Sequence, residues 1–423
     1  MISSKNLVAL LLIAFVLGCG SSPEALKINP ADVVVVQGGT QLFSVVQSSP
    51  NLRWSIAEGP DGGSIDAGFY TAPLKAGTFH IVATDIAGVH GSGTATAQVP
   101  PVSITVGPDS ATALAGTLLR FRATVTDAPD QSVHWSVSDS EAGFIDDGGF
   151  FTASANPGIY SVMATSTSGE GPWGKALVTV TSGLPGGSDL IESPSLGPVV
   201  PTLRMYALWW GDPAGFPADA LASIETLLTD LAGSNHLAIV NQYLRGATAD
   251  VTFVRSLHDP SHAPPNVSPT VNEVSSEVCD VLQSQGITPT EQDIYFVYPS
   301  TPTNPDISGG AYCGRHHTGT CNGTNFFVGW VATPAGSGGL CGSPRLALDC
   351  TSKSAGANLI TRTTLHELFE TITNGLYPTW VDAQGEEIAD KCGPYAVCLS
   401  FGGQTFVVEP EYSNERHACV AIR

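Results

Sequence analysis

Two stretches in the first half of the chain repeat each other, and this repeat limits the fold more than any other feature. LRWSIAEGPDGGSIDAGFYTAP at 52–73 answers to VHWSVSDSEAGFIDDGGFFTAS at 133–154. Trp54 corresponds to Trp135, Ile65-Asp66 to Ile145-Asp146, and Phe69-Tyr70 to Phe150-Phe151. Further on, AGTFHIVATD corresponds to PGIYSVMATS. The period of about 80 residues is too long for a solenoid repeat and fits a small β-sandwich. TQLFSVV and LLRFRATV alternate apolar and polar residues, so each strand presents one face to a core. Neither copy contains Cys, so both hold by packing alone. The repeated Trp is expected between the two sheets.

The W-S-V … G-x-I-D-x-x-G-x-Y-T-A pattern resembles bacterial immunoglobulin-like domains of surface proteins. That resemblance implies a spacer or adhesion module. Asp66, Asp146 and Asp147 beside Gly are either turn formers or loop calcium ligands. Residues 182–203, rich in Pro, Gly and Ser, read as a semi-rigid linker.

The chain carries 17 Lys+Arg against 38 Asp+Glu, a formal charge of -21, and has no basic cluster. Nucleic acid is therefore not expected as a partner, because phosphate binding needs concentrated positive charge. The first 20 residues, MISSKNLVALLLIAFVLGCG, give Lys5 and then an apolar run of signal-peptide length, too short for a comfortable membrane span. Val16-Leu17-Gly18-Cys19 resembles a bacterial lipobox. Cleavage after residue 18 would leave Cys19 to be lipidated, with 19–25 as a tether, and would anchor the exported protein to the cell envelope. An ordinary secretory signal with a chance Cys is the alternative.

The other eight cysteines are Cys279, Cys313, Cys321, Cys341, Cys350, Cys392, Cys398 and Cys419. An even number in an exported domain predicts four disulfides. Short spacing suggests Cys341–Cys350 and Cys392–Cys398 as local bridges. From about residue 204 the pattern becomes mixed. MYALWW, DIYFVYP and NFFVGWVA read as strands. PADALASIETLLTDLAGS, HLAIVNQYL and roughly 355–374 read as helices. The expected architecture is multidomain: two all-β immunoglobulin-like sandwiches (26–100 and 101–181), the linker, and a mixed α/β, disulfide-rich domain over 204–423.

The last helix carries His366-Glu367-Leu368-Phe369-Glu370. Residues four apart share a helix face, so His366 and Glu370 can meet one ion. His-Glu-x-x-His enzymes use the Glu to take a proton from zinc-bound water, and Glu367 holds that place. A carboxylate is a legitimate zinc ligand, and a catalytic site needs three protein ligands. Glu387 and Asp390 in GEEIADKC are the candidates for the third, and the other of the two could orient His366. His316 and His317 are further candidates. A solvated helix face, with Glu370 exposed, is the plain alternative.

YALWWGD, YCGRHH, FFVGWV, ETITNGLYPTW … EIADKC and Cys419, in that order, resemble the exordium (phosphate-induced protein 1) family. LHELFETITNGLYPTWVDAQGEEIADKC is similar to the S-H-E-x-x-E-A-I-T-D-P … G-x-E-I-x-D-x-C of its bacterial members, departing at Asn374-Gly375. The resemblance implies a secreted, zincin-like, metal-dependent hydrolytic domain acting on peptide or protein. The rival reading is a non-catalytic surface protein binding glycan or a partner, with Trp209, Trp210 and Trp380 as its aromatic candidates. A metal that only clamps the 385–392 loop is a third.

Overall fold

The computed structural model describes residues 23–47, 49, 51–167, 173–193, 197, 199–264, 269–300, 313–333, 348, 350–375 and 377–423. The signal segment, Cys19 and Cys341 lie outside them. The protein is multidomain and β-rich. It divides into two compact units, and the second holds most of the second sandwich together with everything after it.

In the first sandwich, a four-stranded sheet runs Asp32–Val34, Ser92–Val99, Gly77–Asp85, Leu52–Ile56. A three-stranded sheet (Thr40–Leu42, Phe69–Thr71, Ser64–Asp66) completes it. Phe43 and Tyr70 meet edge to face at 6.1 Å in its core. In the second copy Phe121 and Phe151 meet in the same way at 6.2 Å. These pairs, and not the repeated Trp, form the aromatic centres; Trp54 and Trp135 are only half-buried. Gly68 (φ 89°) and Gly149 (φ 78°) explain the conserved spelling of the repeat. A Cβ at Gly68 would run into the Phe43 carbonyl and one at Gly149 into that of Phe121, so both copies need Gly before the aromatic pair. Asp146 accepts the Phe150 N–H at 2.9 Å, the behaviour of a turn former.

The second sandwich departs from the first at one edge. Its strand Thr117–Arg120 pairs antiparallel with Val397–Phe401 (Thr117↔Leu399, Leu118↔Cys398), which pairs in turn with Gln404–Val408. One five-stranded sheet thus joins the sandwich to the C-terminal portion. Residues 182–193 are also built in, contrary to the linker reading. Leu184 exchanges two 2.9 Å backbone hydrogen bonds with Cys419, Leu190 is buried in the C-terminal core, and Ile191–Glu192 pairs with Trp380–Val381. The isolated apolar residues in this Pro- and Gly-rich run have a groove to fill, and that outweighs composition.

The C-terminal portion contains a five-stranded mixed sheet. Its elements in chain order are β1 (Thr202–Trp210), α1 (Ala220–Asp230), β2 (Asp250–Asp259), α2 (Val271–Ser284), β3 (Asp293–Pro299), β4 (Gly314–Cys321), β5 (Thr324–Val331) and α3 (Ala355–Asn374). The order is β2-β1-β3-β5-β4. The first four are mutually parallel, and β4 runs antiparallel at the edge (His316↔Gly329). β3 is buried along its whole length, as a continuous apolar run in a central strand requires. Met205, Ala207 and Trp209 face a core shared with α1 and α3, while Tyr206, Leu208 and Trp210 face α2. The sheet is therefore covered on both sides.

HLAIVNQYL is a 3-10 helix (Leu237–Tyr243) and not an α-helix. It is short, and Leu237, Ile239, Val240 and Tyr243 all bury, so no single apolar stripe favours an α-helical period. Its preceding residue, His236, is fully enclosed and donates Nδ1–H to the Ala421 carbonyl at 2.8 Å. Burial lowers its pKa from 6.5 to about 4, against the pull of that carbonyl. Between those two values the unfolded chain binds the extra proton. Stability is therefore complete above pH 6.5 and falls toward pH 4, by about 3 kcal/mol. Urea titrations at pH 7 and 4.5 should show the loss, and His236→Gln should flatten it; an unchanged slope in that variant would remove His236 as the cause.

The described disulfides are Cys279–Cys321, Cys350–Cys398 and Cys392–Cys419. Cys313 is disulfide-bonded too. The expected Cys392–Cys398 bridge is replaced by two long-range ones, and Cys350 goes to Cys398 instead of to Cys341. Short spacing is a poor guide where strands bring distant cysteines together. No helix among the described residues is long and apolar enough to cross a membrane.

Candidate metal centre

α3 is built to be buried. Leu365, Leu368, Phe369 and Ile372 pack into the core. Its threonines satisfy themselves: Thr364 donates to Ile360 O (2.8 Å) and Thr371 to Glu367 O (2.7 Å). Ser354 caps the start, accepting from Ala357 N at 3.1 Å, and Gly375 follows the end. The solvated-face reading fails here, because Glu367 is 2% and Glu370 4% exposed.

Four of the candidate side chains converge at this helix. His366 Nε2 lies 3.1 Å from Glu370 Oε1. The other Glu370 oxygen is 3.7 Å from His316 Nε2, which pairs with Glu387 Oε2 at 2.9 Å. Two triads, His316/Glu370/Glu387 and His366/Glu367/Glu370, each bring their ligand atoms within 4.8 Å of one another. Of the two downstream acids, Glu387 enters the cluster. Asp390 stays at its rim, its side chain 51% exposed and 3.6 Å from His366 Nε2. Strand alternation splits the His pair on β4. His316 faces α3, and His317 faces α2, where its Nε2 is 3.4 Å from Ser275 Oγ. Burial, with Arg315 and His316 nearby, lowers His317 to about 4.

The loop bearing Glu387 is held from several sides. Ile388 and Ala389 are buried, Cys392 is bridged to Cys419, and the Lys391 ammonium is sealed against Asp382 at 2.7 Å. Gly314 of β4 passes so close to Glu367 that a Cβ there would strike its Oε1. A cavity of about 160 Å³ opens beside His366 and Glu367, lined also by Gly314, Thr363, Asp390 and Glu409.

Sequence reasoning missed Glu409, Glu411 and Arg362. Glu409 Oε2 stands 3.4 Å from His366 Nδ1 and 2.6 Å from Arg362 Nη2, fully buried. It accepts from the imidazole and leaves Nε2 directed at Glu370. Glu411, also buried, has no partner for either oxygen. Burial and the nearby Glu409 push its carboxyl well above the usual range. The signal was present in FVVEPEY, where two acids extend an apolar strand.

A cation fits this donor set. Glu367 Oε2 is buried without a hydrogen-bond partner, which is costly for a carboxylate, and the buried Glu370 Oε1 faces His366 Nε2 at 3.1 Å. Burial raises Glu367 to about 8 and Glu370 to about 7, the His366 charge opposing in each case. Burial works against protonated His316, yet Glu387, Glu370 and Glu367 lift it to about 9. The cluster thus demands positive charge, and a metal ion can supply it in place of imidazole protons.

Trp209 and Trp210 are buried and Trp380 half-buried, its Nε1–H donated to the Tyr243 carbonyl at 3.0 Å. These residues form no aromatic platform.

No protein-family model matches the chain, and no curated protein does. Among solved structures it is similar to the surface-layer protein SbsC (12% identity, 40% of this chain, 30% of that one, TM-score 0.24). It is also similar to mouse cadherin-23 EC22-24 (14%, 45% and 74%, 0.19) and Drosophila N-cadherin EC1-4 (14%, 38% and 47%, 0.18). The chain spans less than a third of that surface-layer structure. At these scores the likenesses assign neither fold nor activity.

Proposed function

We propose that the chain is an exported, envelope-anchored zinc-dependent peptidase whose zincin-like C-terminal domain is carried on immunoglobulin-like sandwiches, with Cys19 as the lipid attachment. The observation that carries this reading is the convergence of His366, Glu370, His316 and Glu387 around Glu367, whose buried Oε2 has no hydrogen-bond partner. The disulfides suit an oxidising compartment. The mixed sheet with its antiparallel edge beside α3 supports the zincin-like assignment, and the motifs shared with bacterial exordium relatives point the same way.

Zinc would be held at Glu370, the residue common to both triads, with His366 on one side of it and Glu387 and His316 on the other. When bound, the ion supplies Lewis acidity toward a carbonyl and lowers the pKa of a coordinated water. Glu367 would accept a proton at Oε2 from the attacking water and return it to the leaving amine. Glu409 fixes the His366 tautomer and Arg362 neutralises Glu409. Among the described residues β4 is the edge strand of the sheet and lies beside the site, so an extended peptide substrate would align along it. That edge favours peptide over other acyl substrates.

A purely structural metal is the weaker reading. The 385–392 loop is already fixed by Cys392–Cys419 and by Lys391–Asp382. The test uses residues 19–423 with disulfides formed. Bound zinc and cleavage of casein are measured in wild type and in His366→Ala and Glu387→Ala. Both variants should lose metal affinity by at least about tenfold and lose activity with it. Wild-type protein without zinc, or without cleavage when zinc-loaded, would overturn the proposal.

A further inference from the structure

On the opposite face of the same sheet a second group of ligand types comes together. Asp259 ends β2, His262 lies in the loop after it, and Glu277 projects from the second turn of α2. Their ligand atoms lie within 4.8 Å of one another. Asp259 Oδ2 is 2.5 Å from His262 Nδ1. Asp259 Oδ1 accepts the backbone N–H groups of Ser261 (2.8 Å) and His262 (3.3 Å), which set its carboxylate in place. Glu277 is 7% exposed and its carboxyl is hydrogen-bonded to Asp259, while its Oε1, buried as well, has no hydrogen-bond partner. Nothing in the peptidase reading uses these residues.

Two carboxyl groups enclosed side by side need either a shared proton or a cation. The His262 imidazole at the mouth, its side chain 68% exposed, supplies a nitrogen donor that can turn toward an ion arriving from solvent. One imidazole with two carboxylates suits a divalent transition metal better than calcium or magnesium, which prefer oxygen alone. We infer that Asp259, His262 and Glu277 form a second site for a zinc-class divalent ion, which fastens the loop after β2 to α2. It stands on the α2 side of the sheet, whereas the His366 cluster stands on the α3 side.

The experiment measures zinc bound per chain, with zinc alone as the probe, on full-length mature protein. Wild type should bind two equivalents. His316→Ala/His366→Ala should keep one, and adding His262→Ala should remove it. His262→Ala alone removes only surface atoms, so it should fold normally and lose one equivalent. Glu277→Gln, nearly isosteric, should weaken the remaining site at least tenfold, with near-ultraviolet circular dichroism unchanged. Absence of zinc from the His316→Ala/His366→Ala protein would overturn the inference and favour the shared proton. So would zinc that survives both His262→Ala and Glu277→Gln. If the His366 cluster itself binds nothing, one equivalent sensitive to His262→Ala still marks the second site.

Discussion

Glu367→Gln is expected to leave bound zinc near its wild-type level and to lower peptide hydrolysis by at least about a hundredfold. Gln fills the same volume between α3 and Gly314, so neither helix nor edge strand has reason to move. What it removes is the capacity to accept a proton at Oε2, the buried oxygen with no other partner. The measurement is kcat with a fluorogenic peptide, alongside zinc content. Equal activity would sink the proton-transfer role. Loss of zinc together with activity would make Glu367 a ligand, a result its place in the His366/Glu367/Glu370 triad makes worth reading out.

Asp382→Asn is expected to cost about 3–5 kcal/mol of stability, because it leaves the Lys391 ammonium buried without its counter-charge. The pair is sealed from solvent at both ends, and Asp382 Oδ1 also accepts from Gln384 N (2.8 Å) and Glu386 N (3.0 Å). Burial works against the ionised carboxyl, but Lys391 and those N–H groups hold it below its ordinary value. The residues between the partners include Glu387, so zinc affinity should fall as well. Replacing both partners, as Asp382→Leu with Lys391→Met, should recover most of the stability, since no lone charge remains. Denaturant midpoints of Asp382→Asn and of the double variant check this. A double variant no better than Asp382→Asn would show that the loop depends on the turn hydrogen bonds and not on the ion pair.

The parts of the fold written in local periodicity were open to reading from sequence. The alternating strands of the sandwiches, the apolar β3 and the 355–374 helix follow from spacing alone. Residues whose role depends on distant partners were not. Glu409 is 43 residues from His366 and looks like the polar end of a strand until the fold places it behind the imidazole. Likewise, nothing near Cys350 indicates that Cys398 is its mate, because the strands that bring them together are set by long-range packing. The choice of Glu387 over Asp390 was equally hidden. They are three residues apart in a loop without regular periodicity, and only His316 from β4 separates their roles.

The shared sheet between Thr117–Arg120 and Val397–Phe401 alters where the gene could be cut. The two sandwich copies read as equivalent cassettes, yet a boundary drawn through residues 182–203 would strip Val397–Phe401 of a partner and bare its N–H and C=O groups. Such a fragment invites intermolecular pairing and precipitation, whatever its own core can sustain. A soluble minimal fragment should therefore begin before residue 105. By the same token the second copy has lost the interchangeability that tandem repeats usually keep, and insertion or deletion of whole repeats would be tolerated only upstream of it.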